Sequence, residues 1–249
     1  MRRKSYILAT DLDGTLVGDK LALQSLLNYY EEAALDLALV YITGRHLAST
    51  LSLISSEGLP NPDILITDVG TVIYTLKSLT EDRNWTKKMQ NNWQPERIIQ
   101  ISSIFPTLVR QALPDNKRIS FTIHHNKEVV NKLQNALIVE KVPHKLIFSS
   151  NRDVDILPEQ GGKGAALKYV LQTFASNEAQ ILIAGDSGND MDMLTLGYPS
   201  VIVGNAQPEL VKMNDHPLLF RSTKNYAEGI LEAWLHFFGK ENLSTSYLP

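Results

Sequence analysis

The strongest constraint on this chain is a run of five residues, Tyr6-Ile7-Leu8-Ala9-Thr10, that passes without a charge into Asp11-Leu12-Asp13-Gly14-Thr15. A short apolar run of this kind reads as a strand buried on both faces, as parallel sheets require. In such sheets ligands sit beyond the carboxyl ends of the strands, which is where Asp11 and Asp13 stand. Side chains two apart on an extended backbone share a face, so both carboxylates open onto one crevice if strand geometry persists that far. Gly14 then gives the backbone freedom to turn away.

The pattern recurs along the chain. Residues 37–42 form a second apolar run stopped by Thr43-Gly44-Arg45, and 63–67 a third, followed by the apolar pair Val72-Ile73. Residues 180–184 end at Gly185-Asp186, and 200–203 stop at Gly204-Asn205. Helical spacing lies between them: Leu23, Leu26, Leu27 and Tyr30 within 21–34, a helix through Ser56 ended by Gly58 and Pro60, and a helix opened by Lys163. That last helix carries Ala166, Leu167, Val170, Leu171 and Phe174 on one face, and 226–238 turns Ile230, Leu231, Trp234 and Leu235 inward. Strands alternating with helices predict right-handed crossovers and an α/β fold, a Rossmann-like parallel-sheet core.

The middle of the chain breaks this rhythm. Residues 80–95 are polar around Trp85 and Trp93 and read as a solvated connection; beyond them, helical patterns at 95–105 and 129–139 mix with strand patterns at 118–123, 145–148 and 154–157. This predicts a small α+β domain inserted in the core. The expected division is 1–79 and 160–249 for the core and 80–159 for the insert, with hinges near 79 and 160. The tail from 239 onward carries little signal.

Composition excludes several classes. A formal charge of −3 over 249 residues argues against a nucleic-acid-binding surface, and the absence of cysteine removes disulfides and thiolate metal sites. No segment approaches the roughly 20 apolar residues of a membrane span, and the run after Arg2-Arg3-Lys4 is too short for a signal peptide. A cytoplasmic enzyme, free of membrane and nucleic acid, is the expectation.

Four strand or helix ends therefore carry polar groups: Asp11 with Asp13, Thr43, Lys163, and Asp186 with Asn189 and Asp190. Acids, one amine and one hydroxyl at a sheet edge suit phosphoryl transfer. A phosphate monoester dianion repels a carboxylate, so a hard divalent cation with oxygen ligands must bridge them, and a lysine then neutralises the remaining phosphate oxygens.

Asp-Leu-Asp-Gly-Thr, the later strand-end Thr43, Lys163 and Gly-Asp-Ser-Gly-Asn-Asp together resemble the motif set of the haloacid dehalogenase superfamily of phosphatases, over nearly the whole chain. The insert resembles that superfamily's C2-type cap. Leu16-Val17-Gly18-Asp19, Thr43-Gly44-Arg45, the stretch from Phe148 to Pro158 and the stretch from Val203 to Leu210 are similar to sucrose-phosphate phosphatases, a signature shared with mannosylfructose-phosphate phosphatases. One departure is Val72, where sucrose-phosphate phosphatases often carry glutamate.

The resemblance implies a Mg²⁺-dependent phosphatase acting on a disaccharide phosphate, sucrose 6-phosphate first and mannosylfructose phosphate next. It makes Asp11 the nucleophile and Asp13 the acid/base. Asp11, Asp13 through its backbone carbonyl, Asp186 and Asp190 become the metal site, and Thr43, Gly44, Lys163 and Asn189 hold phosphate. In the cap, Arg118, Ser120, Asn151, Arg152 and Asp153 are the candidates for the sugar, with Arg45 from the core. His124 and His125, being adjacent, make a poor metal pair. A phosphomutase and a non-catalytic sugar-phosphate sensor are the rival readings. The expected partners are a small sugar phosphate and a sugar-phosphate synthase, and the expected state is a monomer.

Overall fold

The computed structural model describes residues 1–76 and 79–239. The core opens with β1 (Tyr6–Thr10), α1 (Lys20–Glu32), β2 (Leu37–Ile42), α2 (Leu47–Glu57), β3 (Ile64–Thr67), β4 (Val72–Thr75), β5 (Thr80–Glu81) and α3 (Arg83–Gln90). The insert follows as α4 (Pro95–Ser102), β6 (Val109–Arg110), β7 (Ile119–Thr122), α5 (Lys127–Val139), β8 (Lys145–Ser149) and β9 (Asp153–Leu157). The core resumes with α6 (Lys163–Phe174), β10 (Gln180–Gly185), α7 (Met191–Leu194), β11 (Ser200–Ile202), α8 (Pro208–Val211), β12 (Leu219–Arg221) and α9 (Tyr226–Phe238).

The core sheet runs in the order β12-β11-β10-β1-β2-β3-β4-β5, parallel from β12 to β3 and antiparallel at β4 and β5. Chain order reverses beside β1, between β2 and β10, the kind of switch point where a crevice opens beyond the strands. Both faces are covered. Ile7, Ala9, Val40 and Ile183 pack with α6, and Leu8, Tyr41 and Leu182 pack with Leu26, Ile230 and Trp234 of α1 and α9. Covered on both sides, the strands read as the continuous apolar runs seen in the sequence.

The insert is an antiparallel sheet in the order β6-β7-β9-β8. Ile119, Phe121, Val154 and Ile156 alternate onto one face and pack with Ile98, Val130, Leu133 and Leu137 of α4 and α5. The intervening Ser120, Asp153 and Asp155 take the opposite face, as a period of two requires.

Two expectations need correction. Residues 83–90 are not a solvated connection but helix α3, capped by Asp82, whose carboxylate accepts from Trp85 N–H at 2.8 Å. Trp85 is fully buried, lies 5.1 Å from the Tyr169 ring and donates its indole N–H to Gly70 O at 3.2 Å. Its neighbours, with those of Met89, belong to the core cluster. A high density of charge hid one buried tryptophan. On α9, Leu235 is exposed rather than inward, because Trp234 and Ile230 fill that face. Residues 77–78, beside the expected hinge, and 240–249 of the expected tail lie outside the described residues.

Candidate active site

Asp11 and Asp186 stand just past the ends of β1 and β10, adjacent parallel strands in register at Thr10 and Ala184. Asp11 N–H continues the ladder to Ala184 O at 3.0 Å. The chain then turns at Gly14, whose φ of 84° lies in the region that favours glycine, and where a Cβ would sit 2.5 Å from Asp186 Oδ2. Thr15, fully buried, donates its hydroxyl to Asp186 Oδ1 at 3.0 Å. The turn that follows Asp11 and the Asp186 carboxylate are thus built against each other.

Lys163, the first residue of α6, is 1% exposed and donates to Asp11 Oδ1 and Asp190 Oδ1, both at 2.6 Å. The other oxygen of Asp190 accepts the backbone N–H groups of Asp186 (3.1 Å) and Ser187 (3.0 Å). Asp190 therefore braces both the lysine and the loop carrying Asp186. A pair of glycines brings α6 into place: Gly70, with φ 90°, approaches so closely that a Cβ there would lie 2.3 Å from Gly162 O.

The electrostatics of this cluster are severe. Burial, aided by Asp190 and Asp186, pushes the Asp11 carboxyl well above the usual range, against the pull of Lys163. Burial and Asp190 push Asp186 up to about 7. Burial works against the Lys163 charge, but Asp11 and Asp190 outweigh it and hold that ammonium above its ordinary pKa. Carboxylate oxygens of Asp11, Asp186 and Asp190 lie within 4.8 Å of one another. Fully ionised, these acids and Lys163 carry a net charge of −2 in a buried volume. A hard divalent cation fits that donor set and that charge.

The cleft between the core edge and the cap has a volume of about 640 Å³, within the range of small-molecule sites. Asp11, Asp13, Gly44, Arg45, Lys163, Asp186 and Asn189 line its core side, and Arg118, Arg152 and Asp153 its cap side. Thr43 and Asp190 are buried behind that wall. Thr43 Oγ1 accepts from Arg45 N–H at 3.1 Å, so its own hydrogen is the one it can donate. Asp13 does not join the acidic cluster: its carboxylate is held by Arg45 Nε and Nη2, each at 2.7 Å.

The cap candidates divide. Arg118 is buried and donates to Asp155 (2.7 Å), to Ser120 Oγ (2.5 Å) and, across to the core, to Gly44 O (2.7 Å) and Asp68 (3.4 Å). Ser120 is buried, donates to Asp155 at 2.5 Å and stands outside the lining, as does Asn151, whose amide donates to His125. Arg152 and Asp153 pair at 2.8 Å on the cleft rim. Val72 is buried in the core and does not line this cleft.

Several site residues escaped sequence reasoning. Thr15 closes the Asp-Leu-Asp-Gly-Thr motif, but its bond to Asp186 is visible only in the fold. Asp68 and Asp155 meet Arg118 only through the fold, and Gln111, which bonds Asp153 at 3.3 Å inside the cleft, sits in an irregular stretch after β6. Asn205, which donates to Gly14 O at 2.7 Å and accepts from Tyr226 N–H, braces the turn after Asp11 from 191 residues away.

The sequence and the fold are both matched in known proteins. The structure of a sucrose-phosphatase from Synechocystis sp. PCC6803, in complex with sucrose and phosphate, aligns with a TM-score of 0.87 and 35% identity over 95% of this chain and 98% of that one. A mannosylfructose-phosphate phosphatase of Agrobacterium fabrum is 31% identical over 238 residues, 93% of this chain and 96% of its own length. The "Probable sucrose-phosphatase 2" of Arabidopsis thaliana is 33% identical across 96% of this chain, which spans 61% of the plant protein. The profile of the sucrose-6F-phosphate phosphohydrolases matches residues 4–238, and the chain belongs to that family.

Proposed function

We propose that the protein hydrolyses sucrose 6-phosphate to sucrose and inorganic phosphate. The observation that carries this reading is the buried cluster of Asp11, Lys163, Asp186 and Asp190 at the floor of a cleft roofed by a polar sheet face. The likeness to a structure with sucrose and phosphate supports the choice of sugar. Mannosylfructose phosphate is the second substrate, favoured by the Agrobacterium relative of nearly equal length.

The residues divide the reaction into two displacements at phosphorus. Asp11, fixed through Oδ1 by Lys163, attacks the phosphoryl group, and the bond from phosphorus to the sugar oxygen breaks as Asp13 gives that oxygen a proton. The aspartyl-phosphate is then cleaved by water, which passes a proton to Asp13 and restores Asp11 with release of phosphate. Arg45 sets the direction of the Asp13 carboxylate through its two bonds. Lys163, Gly44, Asn189 and the Thr43 hydroxyl surround the phosphate. Asp11, Asp186 and the Asp13 carbonyl would hold Mg²⁺, with Asp190 bracing them, and the ion would supply charge neutralisation for the phosphoryl oxygens.

Arg118, Arg152 and Asp153 read the sugar from above, and cap closure shields the aspartyl-phosphate from bulk water. Among the described residues no helix is long and apolar enough to cross a membrane. We place the protein in the cytoplasm as a monomer, fed by a sugar-phosphate synthase. The test is phosphate release from sucrose, mannosylfructose, trehalose and glucose phosphates, with and without Mg²⁺. The reading expects sucrose 6-phosphate to give the highest kcat/KM and a Mg²⁺ requirement. Preference for a monosaccharide phosphate, or an isomeric sugar phosphate as product, overturns it.

A further inference from the structure

The stretch Val203 to Leu210 supplies none of the groups assigned to the reaction above. Its side chains and backbone instead touch the turn after Asp11, the Asp186–Asp190 loop and the cap. Asn205 holds Gly14 O, Gln207 N–H donates to Asp186 O at 2.7 Å, and Glu209 reaches the loop of Asp186 and Asp190 through Gly188. Glu209 does one thing more. Its Oε1 accepts both Gly188 N–H, at 3.2 Å, and Ser150 N–H of the cap, at 2.6 Å. One carboxylate oxygen thus joins the inserted domain to the loop that carries the acids.

The cap side of this contact is built for it. Ser150 and Asn151 both take left-handed φ values, 52° and 50°, at the turn between β8 and β9. They are the two central residues of a hairpin turn closed by Arg152 N–H on Ser149 O at 3.1 Å, a turn type that takes left-handed φ at both positions. The turn leaves the Ser150 N–H outside that closure, and the Glu209 carboxylate accepts it in a charge-assisted bond. On the core side Gly188 has no side chain to obstruct it: a Cβ there would lie 3.0 Å from Glu209 Cγ. Flanking residues of both partners, Ser149 and Arg152 of the cap and Ser187 and Asn189 of the core, line the substrate cleft.

We infer that Glu209 is a positioning residue that couples cap closure to the geometry of the Asp186–Asp190 loop. When the cap swings away the Ser150 bond is broken, and Oε1 is left to Gly188 alone. When it closes over a bound sugar, the same oxygen is drawn between both N–H groups and fixes the loop as the site is sealed. For its kinetic consequence the inference rests on the phosphatase reading; the coupling itself does not.

The test is amide hydrogen exchange on the full chain without substrate, comparing wild type with Glu209→Ala and Glu209→Gln. Removing the acceptor is expected to speed exchange in 145–153 and 185–190 together, by about tenfold or more, since both amides lose their partner. Glu209→Gln keeps an acceptor oxygen without its charge and is expected to fall between the two. In phosphate release from sucrose 6-phosphate, Glu209→Ala is expected to lower kcat about tenfold while KM moves less than about threefold, the pattern of a lost transition-state arrangement. Faster exchange in the cap turn alone, with 185–190 as in wild type, overturns the coupling. So does a Glu209→Ala enzyme with unchanged kcat. Failure of wild type to release phosphate from sucrose 6-phosphate refutes the proposed substrate and leaves the exchange comparison to decide the coupling.

Discussion

Replacing Lys163 with methionine is the perturbation that bears most directly on the buried charges. The ammonium is 1% exposed, and its two partners, Asp11 and Asp190, have side chains 6% and 0% exposed. Methionine matches its length and removes only the charge and the donors. Losing one partner of a buried ion pair costs about 3–5 kcal/mol, because the remaining charge is stranded. Here two carboxylates are stranded beside a third, Asp186, which places the loss near the upper end, about 5 kcal/mol. For a chain of this size each kcal/mol moves Tm by about 2–4 °C, so Lys163→Met is expected to melt about 10–20 °C lower at pH 8 in metal-free buffer. At pH 5 the deficit is expected to shrink, because burial pushes the Asp11 carboxyl toward its neutral form. Thermal unfolding at both pH values, with and without Mg²⁺, reads this directly. A loss below about 1 kcal/mol at pH 8, the size of a surface pair, refutes the claim that this lysine neutralises a closed cluster.

The same cluster sets the pH dependence of the metal-free wild type. The Asp186 carboxyl sits near pKa 7 in the fold against about 3.9 unfolded, so the folded state binds more protons between those values and stability falls as pH rises from about 4 through 7. Mg²⁺ requires the ionised carboxylates, so its stabilising effect is expected to grow across that same window in melting curves. Arg118→Met leaves Asp68 and Asp155 buried without their cation and cuts the bond to Gly44 O; a loss of about 3–5 kcal/mol in denaturant unfolding and a raised KM for the sugar phosphate are expected. Trp85→Ala removes a fully buried indole from the core face of α3 and is expected to cost about 3–5 kcal/mol in the same unfolding assay; a loss near zero contradicts its placement in the core.

Much of the core was legible because parallel strands covered on both faces write themselves as unbroken apolar runs. Tyr6–Thr10 and Leu37–Ile42 are each both the run and the strand, and the run 180–184 falls one residue short of the strand Gln180–Gly185. The acids at their ends were legible for the same reason, since nothing structural excuses a carboxylate there. Residues 83–90 failed because charged surface residues outnumber the two that pack, Trp85 and Met89, so local polarity masked a buried face. The two- and three-residue strands β5, β6 and β12 are too short to carry a period and depend on neighbours in the sheet. Long-range partners were the least legible. Arg118 meets Asp68 across 50 residues, and Glu209 meets Ser150 across 59, through contacts that only the docking of cap on core creates. The polarity of Ser120 suggested a sugar contact, yet its place opposite Asp155 turns it into a support for Arg118.

The central claim is that Asp11 carries the phosphoryl group between sugar and water. Rapid acid quenching during turnover of sucrose 6-phosphate labelled in its phosphate, followed by peptide mapping, tests it directly. The account predicts a base-labile label on the peptide holding Asp11, no label in Asp11→Asn, and a fall in that variant's phosphate release on the order of 10³-fold or more with the fold retained. Label on another residue, or near-normal turnover by Asp11→Asn, contradicts it.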